Sequence, residues 1–210
     1  MAAIKICGIT REQDALAAAQ CGANAIGFVF YEKSPRYVTP ARAAELMRVL
    51  PPFVMSVGLF VDTGVDRVTQ TLAQVRLDLL QFHGNESPAY CRQFGVPFLK
   101  AVRVKVGLDL LQYALDYHDA RALLLDAFVE GTPGGTGSTF DWSLIPKNLS
   151  LPIVLSGGLT PENVASAIQS VRPWAVDVSS GVEVTGSTNK GIKDATKIAA
   201  FVTGVRNADV

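Results

Sequence analysis

The chain has 210 residues, 49% of them apolar, which suits one sizeable globular domain or two small ones. Nineteen basic residues balance nineteen acidic ones, with no Lys/Arg cluster of the kind that marks a nucleic-acid binder, and no run approaches the roughly 20 apolar residues of a membrane helix. Three cysteines at unrelated spacings, Cys7, Cys21 and Cys91, argue against a disulfide framework or a zinc site and for reduced thiols.

The first residues enter a strand pattern directly, without the basic, apolar and small-residue order of a secretory leader. The expectation is a cytoplasmic protein. Eight apolar runs then follow in chain order: IKICG, AIGFVF, FVMSVGLFV, LDLLQF, PFLKAVRV, ALLLDA, PIVLSGG and AVDVSSG. Amphipathic stretches separate them. Thr10 is the expected cap of a helix through REQDALAAAQ, with Gly22 just past its end. Thr39-Pro40 opens ARAAELMRVL and Pro51 stops it, and Thr160-Pro161 repeats the device before ENVASAIQSV. Gly191 precedes a last helix expected over IKDATKIAAFV.

Alternating strands and helices imply parallel strands covered by helices. Eight units in about 200 residues predict a single (β/α)8 barrel over residues 1–210, at the small end of its usual size. The rival, an open doubly wound sheet, calls for a glycine-rich dinucleotide loop after the first strand, which CGITRE lacks.

A barrel of this kind carries its chemistry where the strands end. The polar residues expected there are Cys7, His83, Arg103, Asp126, Ser156 with Gly157 and Gly158, and Asp177 with Ser179, Ser180 and Gly181. Strand alternation points Lys5 and Cys7 inward and Ile4 and Ile6 outward. An inward ammonium needs an anion, for which Asp177 is the candidate, and a cation beside Cys7 is expected to lower its thiol pKa. The bland alternative for Cys7, as for Cys21 and Cys91, is a small buried hydrophobe. Asp126 closes an apolar strand and is read as a general acid or as a loop-pairing carboxylate. The SGG of 156–158 and the SSG of 179–181 end the last two strands, a frequent phosphate site in such barrels. Arg36, between Pro35 and Tyr37, is a solvated loop cation or a fork for a planar carboxylate. The long glycine-rich loop EGTPGGTGSTFDW reads as a mobile cover near Asp126 or a plain connector.

With these residues placed, the sequence resembles the phosphoribosylanthranilate isomerase family nearly end to end. KICGIT, GFVFYEKSPRYV, VGLFVD, LQFHG, LLLDA, GGTGSTFDW, LSGGL and VDVSSGVE carry the likeness, and KGIKD follows them. The resemblance implies a barrel with no metal and no organic cofactor. Its substrate is the small molecule N-(5-phospho-β-D-ribosyl)anthranilate, with no nucleic-acid or membrane partner, and the chain is a monomer or homodimer. The implied reaction is an Amadori rearrangement to 1-(2-carboxyphenylamino)-1-deoxyribulose 5-phosphate, a step in tryptophan biosynthesis. By the same resemblance Cys7 is the general base and Asp126 the general acid. Arg36 binds the anthranilate carboxylate, and Gly157, Gly158, Ser180 and Gly181 hold the phosphate. His83 and Asp177 are expected to orient substrate or catalysts from their positions at strand ends. Lys190 stands where the family pattern leads us to expect proline. Two other readings remain: another phosphosugar aminoaldose isomerase, whose base at the end of the first strand would be a carboxylate, and a silent phosphate-binding barrel.

Overall fold

The computed structural model describes residues 1–127, 139–186 and 190–208. Eight parallel strands pair in chain order and close on themselves. They are β1 (Ala3–Cys7), β2 (Ala25–Val29), β3 (Met55–Phe60), β4 (Leu79–Phe82), β5 (Phe98–Val104), β6 (Ala122–Ala127), β7 (Ile153–Leu155) and β8 (Ala175–Val178). Every one falls on an apolar run of the sequence, β1 starting one residue before its run. Around them lie α1 (Glu12–Cys21), α2 (Pro40–Arg48), α3 (Val65–Gln74), α4 (Pro88–Arg92), α5 (Leu110–Asp116), α6 (Val164–Val171) and α7 (Ala195–Ala208). Among the described residues the β6–β7 connection carries only a 3-10 turn, Trp142–Leu144. No helix there is long and apolar enough to cross a membrane.

Local signals set most helix ends. Thr39 Oγ1 accepts from Arg42 N at 3.1 Å with Pro40 in the first turn, and Gly22 closes α1 in a left-handed conformation, φ 100°. Three signals act otherwise. The Thr10 hydroxyl donates to Gly191 O at 3.0 Å, so Arg11 stands at the start of α1 without a side-chain cap. Thr160 does not cap α6 directly; its N–H donates to Asn163 Oδ1 and the helix begins after Asn163. Lys193 pairs in a β-bridge with Glu183, which delays α7 until Ala195, where Asp194 Oδ1 accepts from Thr196 N and Lys197 N.

The register separates two apolar regions. Ile4, Ile6, Ile26, Phe28, Phe60, Phe82 and Leu123 point outward and pack under the helices in one large core. The alternate residues point inward. Leu79, Leu99, Ala101, Ala122, Leu124, Val154 and Ala175 form a second, dry cluster that fills the barrel floor. The inward set runs from strand to strand between β5 and β8, Leu99 facing Ala122, Leu124 facing Val154 and Val154 facing Ala175. One step further along the strands it turns polar: Lys5 is level with Asp177, Cys7 with Gly27, and Arg103 with Asp126. The seam between β1 and β8 thus carries a buried ion pair.

Leu124 is fully buried in the floor cluster. Leu124→Ala is expected to lower unfolding free energy by about 2–5 kcal/mol in urea titration, through lost transfer energy and a cavity. Leu115→Ala, at an exposed position, should change it by less than about 0.5 kcal/mol.

Candidate active site

The polar rim divides into two groups of side chains. The first surrounds Cys7, the last residue of β1. Lys5, one inward step below it, donates to Asp177 Oδ1 at 2.8 Å, and both are buried. Ser156, just past β7, donates to Asp177 Oδ2 at 3.4 Å. Ser179, just past β8, donates to the Cys7 carbonyl at 3.0 Å. Burial works against the Lys5 ammonium, yet Asp177 and Cys7 together hold its pKa above the ordinary value. The thiol goes the other way from the sequence expectation. Burial pushes Cys7 up and the Asp177 carboxylate adds to that, while Lys5 and, more weakly, Lys193 pull it down without prevailing. Lys5 is placed as expected, but its charge is already engaged by Asp177.

Space for the thiol comes from β2. A Cβ on Gly27, level with Cys7, would lie 2.7 Å from Sγ. The sulfur occupies the volume that any larger residue there would fill.

Arg36 reaches over the same strand end; a Cβ on Gly8 would meet its Cδ at 2.5 Å. Its guanidinium does fork onto a carboxylate, that of Glu183: Nε to Oε1 at 2.7 Å and Nη2 to Oε2 at 3.0 Å. Lys193 completes a triad, donating to Glu183 Oε1 at 2.9 Å and to Ser179 O at 3.0 Å and Oγ at 3.2 Å. All three side chains of the triad are buried. Burial alone would raise the Glu183 pKa, but Arg36 and Lys193 hold it below the usual carboxylate range. Burial also lowers Lys193 despite its acidic partner. The carboxylate fork of Arg36 is therefore filled from within the chain.

The second group centres on Asp126, in β6. Its Oδ1 accepts from Ala127 N at 2.8 Å, and its Oδ2 lies 3.1 Å from His83 Nε2. His83 Nδ1 is 2.9 Å from the Gln81 side-chain amide, one inward step down β4. The strand end that carries His83 is clamped from outside the barrel. Lys100 donates to Phe82 O at 3.3 Å and Gly84 O at 2.7 Å, either side of His83, and to Glu86 Oε2 at 2.9 Å. Arg103, half-buried, stands level with Asp126 on the neighbouring strand.

The two serine-glycine loops meet. Gly157 and Gly158 are left-handed, φ 83° and 62°, and a Cβ on Gly157 would sit 2.9 Å from Asp126 Oδ1. Gly181 approaches Leu159 O so closely that a Cβ would lie 1.9 Å from it. Asn163 Nδ2 donates to Gly158 O at 2.9 Å and steadies the first loop. Ser180 opens the 3-10 turn Ser180–Val182 of the second. The proposed cover EGTPGGTGSTFDW lies largely outside the described residues, which resume at Thr139.

Every residue expected at the rim from the sequence thus stands there. Gln81, Glu183, Lys193, Lys100 and Gly27 were not singled out. Alternation from His83 points to Gln81, two residues back on the same face. Glu183 and Lys193 lie in irregular segments, where no periodicity marks them.

Residues 4–204 match the family described as N-(5'phosphoribosyl)anthranilate (PRA) isomerase. The N-(5'-phosphoribosyl)anthranilate isomerase of Nitrosospira multiformis is 60% identical over 202 residues, 96% of this chain and 95% of that one. That of Thiobacillus denitrificans is 59% identical over 199 residues, 95% of each. Among solved structures, phosphoribosyl anthranilate isomerase from Thermotoga maritima superposes with a TM-score of 0.88 and 42% identity, covering 99% of this chain and all of that one. A second is a phosphoribosyl anthranilate isomerase in complex with reduced 1-(o-carboxyphenylamino)-1-deoxyribulose 5-phosphate. It gives a TM-score of 0.85 at 41% identity, covering 99% of this chain and 100% of that one.

Because burial raises the Cys7 thiol, its alkylation by iodoacetamide in a Cys21→Ser, Cys91→Ala background should climb only above the ordinary thiol range of about 8.5. Lys5→Met should move that midpoint higher still. A midpoint that stays put would remove Lys5 from the electrostatics of the thiol.

Proposed function

The chain belongs to the N-(5'-phosphoribosyl)anthranilate isomerase family and is an aldose–ketose isomerase of tryptophan biosynthesis, and from that premise we propose that Cys7 and Asp126 carry the two proton transfers of its Amadori rearrangement. The observation that supports this most directly is the pairing on one rim of a thiol beside an ammonium with a carboxylate held by a histidine.

In this reading the substrate is N-(5-phospho-β-D-ribosyl)anthranilate. Asp126 gives its proton to the ribose ring oxygen, the C1–O bond breaks, and the ring opens to a protonated Schiff base. The iminium acidifies the C2–H bond, so the Cys7 thiolate removes that proton although its population at neutral pH is small. The resulting enolamine tautomerises to the ketone, and the proton gained by Cys7 balances the one lost by Asp126. Protons alone balance these steps. Gly157, Gly158, Ser180 and Gly181 hold the phosphate, where two loops bring backbone close together. Arg36 takes the anthranilate carboxylate. Since its fork is already filled, substrate shares or displaces Glu183, and the buried Lys193 stays as the partner of the displaced carboxylate. Asp177 acts through Lys5, and His83 through Asp126. The barrel serves as one catalytic domain, and its unpaired thiols suit a reducing cytoplasm.

The test is an isomerase assay with substrate made in place from anthranilate and phosphoribosyl pyrophosphate. Cys7→Ala and Asp126→Asn should each lower kcat by about 10²–10⁴-fold. Turnover that survives either change displaces that residue from proton transfer. With a raised thiol as base, wild-type kcat/KM should rise toward alkaline pH as Cys7 deprotonates, and a profile flat through that range would contradict the assignment.

A further inference from the structure

Gln81 is fully buried, level with Leu59 on β3 and Leu99 on β5, where an amide is costly unless its polar atoms are used. One of them is used: the amide lies 2.9 Å from His83 Nδ1. In the orientation that turns Nε2 toward the ring, Oε1 is buried with no hydrogen-bond partner. Oxygen and nitrogen of an amide exchange places by a half-turn, so chemistry decides between two patterns. With the amide N–H toward Nδ1, the ring proton is on Nε2, donating to Asp126 Oδ2, and Gln81 Oε1 is orphaned. With the amide turned over, Oε1 accepts from Nδ1–H, the amide NH2 takes the buried place that Oε1 held, and His83 Nε2 is left as an acceptor facing Asp126 Oδ2, 3.1 Å away. Only the second pattern lets His83 receive a hydrogen bond from a protonated Asp126.

We propose that Gln81 is a positioning residue for the acid step: its side-chain carbonyl, turned to Nδ1, holds His83 in the Nδ1–H tautomer, so that Nε2 accepts a hydrogen bond from the Asp126 carboxyl and orients it toward the ring oxygen of the substrate. The proposal rests on the reading of Asp126 as the acid. It assigns the buried amide a task that packing does not require, since an apolar residue of the same length would fill the space between the two leucines. The logic is that of an outer partner fixing the protonation site of a histidine that in turn faces the reacting group.

The protein suits a direct measurement because it has two histidines, and the other, His118, is exposed. In a His118→Gln background, long-range ¹H–¹⁵N spectra report the tautomer of His83 alone. The expected result is Nδ1–H in the parent and in Gln81→Glu, whose carboxylate only accepts. In Gln81→Met, uncharged and similar in length, the ring should shift toward Nε2–H, kcat should fall about tenfold, and KM should stay within about twofold. Gln81→Met keeps the test decisive if the buried charge of Gln81→Glu prevents folding. An Nε2–H ring in the parent, or an unchanged kcat in Gln81→Met, overturns the proposal. Asp126→Asn separates the two readings. If it is inactive while Gln81→Met is fully active, only the role of Gln81 falls; if it turns over normally, the acid assignment falls and takes this proposal with it.

Discussion

An ammonium and a carboxylate meet at 2.8 Å inside the seam where the last strand closes on the first. Each ion alone would carry a desolvation penalty of several kcal/mol, so neither Lys5 nor Asp177 is tolerable there without the other. Their mutual need sets the level at which the barrel interior changes character. Below them the lumen is filled by leucine, valine and alanine. Cys7, Ser156 and Ser179 all take their surroundings from this pair, by sequence neighbourhood, by hydrogen bond, or by a contact to the Cys7 carbonyl. The raised thiol follows first from burial, against which Lys5 pulls down and to which the Asp177 carboxylate adds.

The two groups on the rim are built by different means. The Asp126 group is held by the sheet: Gln81 and Asp126 sit on β4 and β6 with His83 just past the end of β4, and rigid strand geometry sets their distances. Lys100 tightens this from the sheet–helix layer by holding the carbonyls on either side of His83. The Cys7 group is assembled from distant segments. Arg36 and Glu183 are 147 residues apart, and Lys193 arrives from the stretch before α7. Bidentate geometry and a second cation keep Glu183 ionised although it is buried. The fork of Arg36 is therefore shaped by a carboxylate of the chain itself.

These differences explain what could be read from the sequence. The eight strands were legible because each is an apolar run bounded by turn residues, and closure followed from their number. Lys5 with Asp177 was legible because alternation put a charge inside and only a near strand end could answer it. Helix starts were less so. Thr10 and Thr160 have the chemistry of caps, but tertiary partners claimed them, Gly191 O in one case and the Asn163 turn in the other. The start of α7 was displaced by the bridge of Lys193 to Glu183. Arg36 was legible as a fork and illegible in its partner, since nothing local announces an acid 147 residues away. The direction of the Cys7 shift was misread for a related reason: a cation nearby is visible in sequence, while the depth of burial and the prior engagement of that cation are not.

Gly27 has a consequence for descent rather than for chemistry. The sulfur of Cys7 fits because the residue beside it on β2 has no side chain, and a single methyl there would intrude to 2.7 Å. Positions 7 and 27 are thus not free to vary one at a time. A lineage that enlarged position 27 first would crowd out its own thiol, whereas one that replaced the thiol first would release β2 from the demand for glycine. The order in which such a barrel can change these two positions is constrained by a hydrogen atom on the neighbouring strand.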